Sequence, residues 1–211
     1  TGIKGGYDDI TVADNYLHGL SANGVGRAGW GHVDPGSFLV ERNLVENVGH
    51  TGIRLDNVAE STVRHNEVRG GVEAAEADDD SPRIGIHLHI NIGDPSTDGD
   101  ETTGVTASGN RLSQNAVSGK FDRAGIQVLS INRNYPANEP STEAVISGLT
   151  VDGNSLRVPN SRGLLLAANP VHGETARIEN VDIDKNDIQD SRLGLGIHRA
   201  KGDDQRSGYS E

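Results

Sequence analysis

Two histidines spaced i, i+2, His87 and His89, stand in the run GIHLHI, and an earlier run of the same shape, GIRLD, puts Arg54 and Asp56 at the matching offsets from its glycine. On a β-strand, side chains two residues apart share a face. Three chemistries suit that grouping. One imidazole acts as a general base while Arg54 or Lys4 neutralises a substrate carboxylate, the arrangement that β-elimination from a uronic acid needs. Alternatively, the two imidazoles chelate a metal such as zinc, with Asp56 or His50 as a further ligand. In the third reading the four residues are solvated decoration on an exposed strand. We take Arg54, Asp56, His87 and His89 as the candidate catalytic set and assign no metal to them.

What must position these residues is a repeat. Six copies of one short pattern, alternating aliphatic residues followed by Asn and another aliphatic residue, run along the chain: ITVADNYL at Asn15, FLVERNLV at Asn43, STVRHNEV at Asn66, VTASGNRL at Asn110, LTVDGNSL at Asn154 and VDIDKNDI at Asn186. A second unit, glycine followed by alternating aliphatics, recurs between them at Gly52, Gly85, Gly125, Gly163 and Gly196, with Gly2 and Gly24 as earlier members. Each unit is too short for an amphipathic helix and has the period-2 alternation of a strand with one buried face. Repeats of 20 to 50 residues indicate stacked architectures in which each unit buries its apolar side only against its neighbours. A propeller is disfavoured because aromatics are 3% of the chain and blades carry aromatic signatures.

These motifs resemble those of the right-handed parallel β-helix repeat family, the pectin-lyase-like superfamily, over roughly residues 2–198. The resemblance implies an all-β fold, a right-handed parallel β-helix (solenoid) of about six to seven coils with loop insertions, in which the repeated Asn turns inward and forms a ladder. An Asn amide has the donors and acceptors for such a ladder and tolerates left-handed turns. The family also implies a carbohydrate-active protein, a lyase or hydrolase acting on an extracellular, acidic polysaccharide. Against a specific assignment, Asp8-Asp9 and Gly49-His50 are only scraps of the polygalacturonase motifs, and Asp34-Pro35 and Asp94-Pro95 are followed by Gly36 and Ser96 rather than by the His of an epimerase-like signature. The alternative function is a non-catalytic surface, adhesin or polysaccharide-binding module.

With Ile53 and Leu55 inward, alternation sends a column outward: Lys4, Arg54 and Asp56, His87 and His89, Gln127 and Leu129, Leu165 and His198. Neighbouring coils stack about 4.8 Å apart, so the catalytic set falls within one substrate-sized patch. Lys4 and Gln127 join it as substrate-binding candidates. Insertions after the Asn turns, at 18–36, 70–83, 114–123 and 157–162, and after the Gly-led strands, at 90–103, 130–147 and 168–178, are expected to wall a groove. The first holds Trp30, the one Trp of the chain, which is either a sugar-stacking platform or a side chain that packs its own loop.

Composition narrows the partners. The 211 residues read as one domain without a composition shift. A formal charge of −12, with acids spread along the chain, disfavours nucleic acid. No run approaches the roughly 18 apolar residues of a spanning helix, so no membrane partner is expected, and an extracellular or cell-surface location follows from the polysaccharide reading. Absence of Cys excludes disulfides and thiolate metal sites. The acidic stretches 73–81 and 93–101 offer hard oxygens for Ca²⁺, although neither matches an EF-hand loop and a solvated acidic loop is the competing reading. With no Met in the chain, Thr1-Gly2-Ile3 reads as the middle of a repeat. An uncapped end of that kind predicts end-to-end self-association.

Overall fold

The computed structural model describes residues 3–4, 9–27, 36–70, 83–92, 105–132, 143–170 and 175–199. Among them there is no helix, and every strand pairing is parallel. The first sheet has seven strands: β1 (Ile3–Lys4), β4 (Val25–Arg27), β7 (Thr51–Asp56), β10 (Ile84–Ile92), β14 (Ala124–Asn132), β18 (Arg162–Pro170) and β22 (Leu193–Arg199), in that order. The second has six: β2 (Ile10–Ala13), β5 (Phe38–Glu41), β8 (Thr62–Arg64), β12 (Arg111–Ser113), β16 (Thr150–Asp152) and β20 (Asp182–Asp184). The third also has six: β3 (Tyr16–His18), β6 (Leu44–Glu46), β9 (Glu67–Gly70), β13 (Ala116–Gly119), β17 (Ser155–Arg157) and β21 (Asp187–Gln189). A fourth sheet, β11 (Val105–Ser108), β15 (Glu143–Ser147) and β19 (Thr175–Glu179), enters only the later circuits, between the first sheet and the second.

The chain thus visits the sheets in a fixed cycle, and each strand pairs with its counterpart one circuit earlier and later. That is the arrangement of a parallel β-solenoid. The core is a narrow aliphatic column. Ile53, Leu55, Ile86, Leu88, Ile126, Val128 and Leu164 meet the inward residues of the other sheets, Val40, Val63, Val68, Val117 and Leu156, in one continuous cluster. The aliphatic alternation in the sequence builds this column because only one face of each short strand points into it.

Two devices hold the corners. Between the second and third sheets an amide ladder runs Asn15, Asn43, Asn66, Asn115, Asn154, Asn186, each Nδ2 donating to the Oδ1 of the next at 2.8–3.0 Å. The repeat alignment is corrected here. The segment VTASGNRLSQNAV contains the motif twice, five residues apart, and the rung is Asn115 rather than Asn110. Asn110 belongs to the preceding corner, where its Oδ1 accepts from the Ser61 backbone N–H at 3.1 Å. Residues 114–123 are accordingly not a plain insertion, since β13 lies within them. The left-handed backbone also sits elsewhere than expected. It is adopted by the residue before each ladder Asn, namely Asp14, Arg42, His65, Gln114, Gly153 and Lys185, with φ between 51° and 62°.

The other corner, where the third sheet passes to the first, is a stack of glycines. A Cβ at Gly24 would lie 2.7 Å from the Gly52 carbonyl oxygen, and one at Gly52 2.7 Å from that of Gly85. The same close approach continues through Gly125 and Gly163 to Gly194. This explains why a glycine leads each strand of the first sheet: the corners pack backbone on backbone. It also shifts the last copy, whose leading glycine is Gly194; Gly196 pairs with Leu165 in the outward column.

Candidate functional site

The first sheet carries the predicted column. Its register sets His87 beside Arg54 and His89 beside Asp56 on one side, and His87 beside Gln127 and His89 beside Leu129 on the other. Lys4 continues the same row through Gly26, two strands and so about 10 Å of backbone spacing from Arg54. Since Ile53, Leu55, Ile86 and Leu88 are in the core cluster, alternation puts Arg54, Asp56, His87, His89, Gln127 and Leu129 on the opposite face. Arg54, Asp56, His87, His89 and Gln127 are therefore brought together. Trp30 and the acidic stretches 73–81 and 93–101 lie outside the described residues.

The contacts within the cluster are specific. Arg54 Nε donates to both carboxylate oxygens of Asp56 at 3.0 Å, and its Nη2 lies 2.9 Å from Asp56 Oδ2. Asp56 Oδ1 also meets His89 Nδ1 at 3.3 Å. The rings of His87 and His89 are stacked, 4.9 Å between centroids and 13° from parallel. A carboxylate opposite Nδ1 accepts a hydrogen bond from that nitrogen and orients the ring, which turns the Nε2 of His89 away from Asp56. His87 is held neutral: burial pushes its pKa well below the usual histidine value, and the neighbouring His89, Arg54 and Arg123 push it the same way.

One expectation fails. These residues were expected on a solvated face, yet Asp56 is 3%, His87 7%, His89 5% and Gln127 0% exposed. The reading as exposed decoration is thereby corrected for Asp56, His87 and His89, while Arg54 is partly exposed. The alternation was read properly, but in parallel sheets both faces are commonly covered. All nine residues of β14 are buried, and beyond the polar cluster Leu129, Ile131 and Ala167 make a second small apolar cluster on the outward side.

Burial leaves polar atoms without hydrogen bonds. Neither the Oε1 nor the Nε2 of Gln127, nor the Nε2 of His87, has a partner. A buried polar group left unsatisfied costs about 1–3 kcal/mol, so three such atoms on adjacent strands mark a place suited to a polar guest. Sequence reasoning missed the commitment of Arg54 to Asp56 and the influence of Arg123 on His87. The latter had a signal, since Arg83 and Arg123 each stand two residues before a strand-leading glycine. Among the described residues no group of three or more His, Asp or Glu is arranged to hold a metal ion. His50, offered from sequence as a further ligand, sits at the corner before β7 rather than in the outward row.

In comparisons with known proteins, no family model, curated protein or solved structure matches this chain.

Proposed function

We propose that the chain is a right-handed parallel β-helix of the pectin-lyase-like kind, with six to seven coils, that acts on an extracellular acidic polysaccharide through the outward face of its first sheet. The observation that carries this reading is the convergence of Arg54, Asp56, His87 and His89 on two adjacent strands, with an Asp–His contact and a neutral second imidazole. In β-elimination a base removes the proton at C5 of a uronate, the electron pair left on C5 forms the C4–C5 double bond, and the C4–O glycosidic bond breaks with the leaving oxygen taking a proton from water. A neutral imidazole is the protonation state a base requires. Arg54 binds Asp56 through Nε and Nη2, which leaves the Nη1 corner of the guanidinium to meet a sugar carboxylate. Lys4 and Gln127 extend the row for neighbouring sugar units.

A second reading, a non-catalytic surface or polysaccharide-binding module, is favoured by the burial of Asp56, His87, His89 and Gln127. In that reading the coils supply rigidity and the cluster is internal.

The experiment is an ultraviolet screen for unsaturated uronate products across acidic polysaccharides, with and without Ca²⁺, on the wild-type protein and the Arg54→Ala and His87→Ala variants. Absorbance that appears with the wild type and disappears in both variants supports the lyase. No product under any condition moves the assignment to the module.

A further inference from the structure

The two ends of the described stack differ from each other and match each other. At the β19–β22 end, core positions lie open. Ile183, Leu195 and Ile197 are 36%, 43% and 79% exposed, although each pairs in register with a buried residue of the coil before, Val151, Leu164 and Leu166. The amide ladder stops there on a donor. Each rung sends its backbone N–H and its Nδ2 to the Oδ1 of the next, as Asn154 does to Asn186 at 3.0 and 2.8 Å. Asn186 gives its Nδ2 to Val151 O and Asp184 O, and its backbone N–H has no partner among the described residues. At the β1–β3 end the ladder stops on an acceptor: Asn15 gives its own N–H and Nδ2 away, and no donor among the described residues reaches its Oδ1.

We infer that the β19–β22 end is a docking surface for the β1–β3 end of a second copy of this chain, so that copies stack head to tail with the ladder continuous across the seam. Carrying the register on by one coil gives the contacts. Ile183 falls over Val12 and Ile188 over Leu17, aliphatic on aliphatic, while β22 lies along β1. Asn186 N–H and Nδ2 then meet Asn15 Oδ1 of the next copy, and both strand edges gain hydrogen bonds. The charges agree with this order. The left-handed residue before one rung faces its counterpart one coil on, as Arg42 Nε meets Asp14 Oδ1 at 2.8 Å; at the seam the pair is Lys185 and Asp14, both exposed. The acids of the last coil meet no acid, since Asp182 falls over Thr11, Asp184 over Ala13 and Asp187 over Tyr16. Joining like ends would set ladder donor against donor. Among the described residues β19 has no counterpart at the other end, so the seam spans the three sheets that both ends share.

The inference does not rest on the polysaccharide reading, and its test contains no sugar. Sedimentation velocity of the full chain is measured over a concentration series. The expected result is a weight-average sedimentation coefficient that climbs past that of a dimer, because a heterologous contact that closes no ring keeps adding copies. Ile183→Lys with Lys185→Asp blocks the donor end, placing an unpaired ammonium in the seam and an acid against Asp14. Thr11→Asp with Tyr16→Glu blocks the acceptor end, opposing Asp182 and Asp187 with acids. All four positions are exposed, so the variants should keep the wild-type circular dichroism, and each pair should weaken association by about tenfold or more. Mixed together, the two blocked variants should form a dimer and nothing larger, since each keeps one intact end. A wild type that stays monomeric at every concentration overturns the inference, and is the result if another segment of the chain covers the last coil. So does a wild-type dimer that grows no further, assembly that both blocked variants leave unchanged, or a mixture of the two that stays monomeric.

Discussion

Replacing Asn115 by Ala removes one rung from the middle of the amide ladder. Asn115 Nδ2 donates to Val63 O at 2.9 Å and to Asn154 Oδ1 at 3.0 Å, while its Oδ1 accepts from the backbone N–H of Asn66 at 3.1 Å and from Asn66 Nδ2 at 3.0 Å. The residue is 1% exposed, so water cannot replace these bonds without opening the core. Asn66 Nδ2 keeps two other acceptors, Val40 O and Arg64 O, but its backbone N–H loses the one it has. At a net value of about 1 kcal/mol for each of the four bonds lost, one of which strands a buried backbone donor, the loss is about 4 kcal/mol. Asn15→Ala is the internal control. It stands in the same turn at the end of the ladder, is only partly buried, and loses two donated bonds while stranding no backbone donor; about 1 kcal/mol is expected. Asn115→Asp should exceed both, because a carboxylate oxygen would replace Nδ2 opposite two acceptors in a buried site. Urea unfolding followed by circular dichroism reads the difference: with m near 3 kcal/mol/M, the midpoint for Asn115→Ala falls by about 1.3 M at constant m. If Asn115→Ala and Asn15→Ala shift the midpoint equally, the ladder does not hold the fold in the way argued here.

The neutral state of His87 makes stability depend on pH. Its folded pKa is depressed, so below the ordinary value near 6.5 the unfolded chain binds a proton that the folded one refuses, and stability falls by up to about 1.4 kcal/mol per pH unit as pH drops toward the folded pKa. Urea midpoints from pH 8 to pH 5 should decline more steeply for the wild type than for His87→Gln; parallel curves would refute the assignment. The glycine stack predicts a second contrast. Gly85→Ala would drive a Cβ into the Gly125 carbonyl oxygen and Val117 Cγ1, whereas nothing lies within 4 Å of a Cβ at Gly194. Thermal melts should show a large loss for the first, of about 2 kcal/mol or more, and little change for Gly194→Ala.

Much of the architecture was legible because a stacked fold repeats its constraints. Ile53 and Leu55 recur as Ile86 and Leu88, then Ile126 and Val128, and the strand period places each on the inner face. Spacing misled where one segment carried the motif twice: Asn110 and Asn115 both follow a buried aliphatic residue by three positions. Only the pairing of Leu112 with Val63 and Val151 decides between them. The candidate site was half legible. Alternation grouped Arg54, Asp56, His87 and His89, and proximity in the fold followed from the matching offsets of GIRLD and GIHLH.

The sequence by itself determined the strand period, the inward column, the leading glycines from Gly24 to Gly163 and the grouping of Arg54, Asp56, His87 and His89, because each depends on residue type at a fixed local spacing. Tertiary structure alone decided what those outward residues experience. Burial of His87 and Gln127, the clamp of Arg54 on Asp56 and the Asp56–His89 contact depend on which strand lies beside which and on what shields the face from water. Solvation and charge pairing are set by neighbours distant in the chain, and they turn a row of polar side chains into a site.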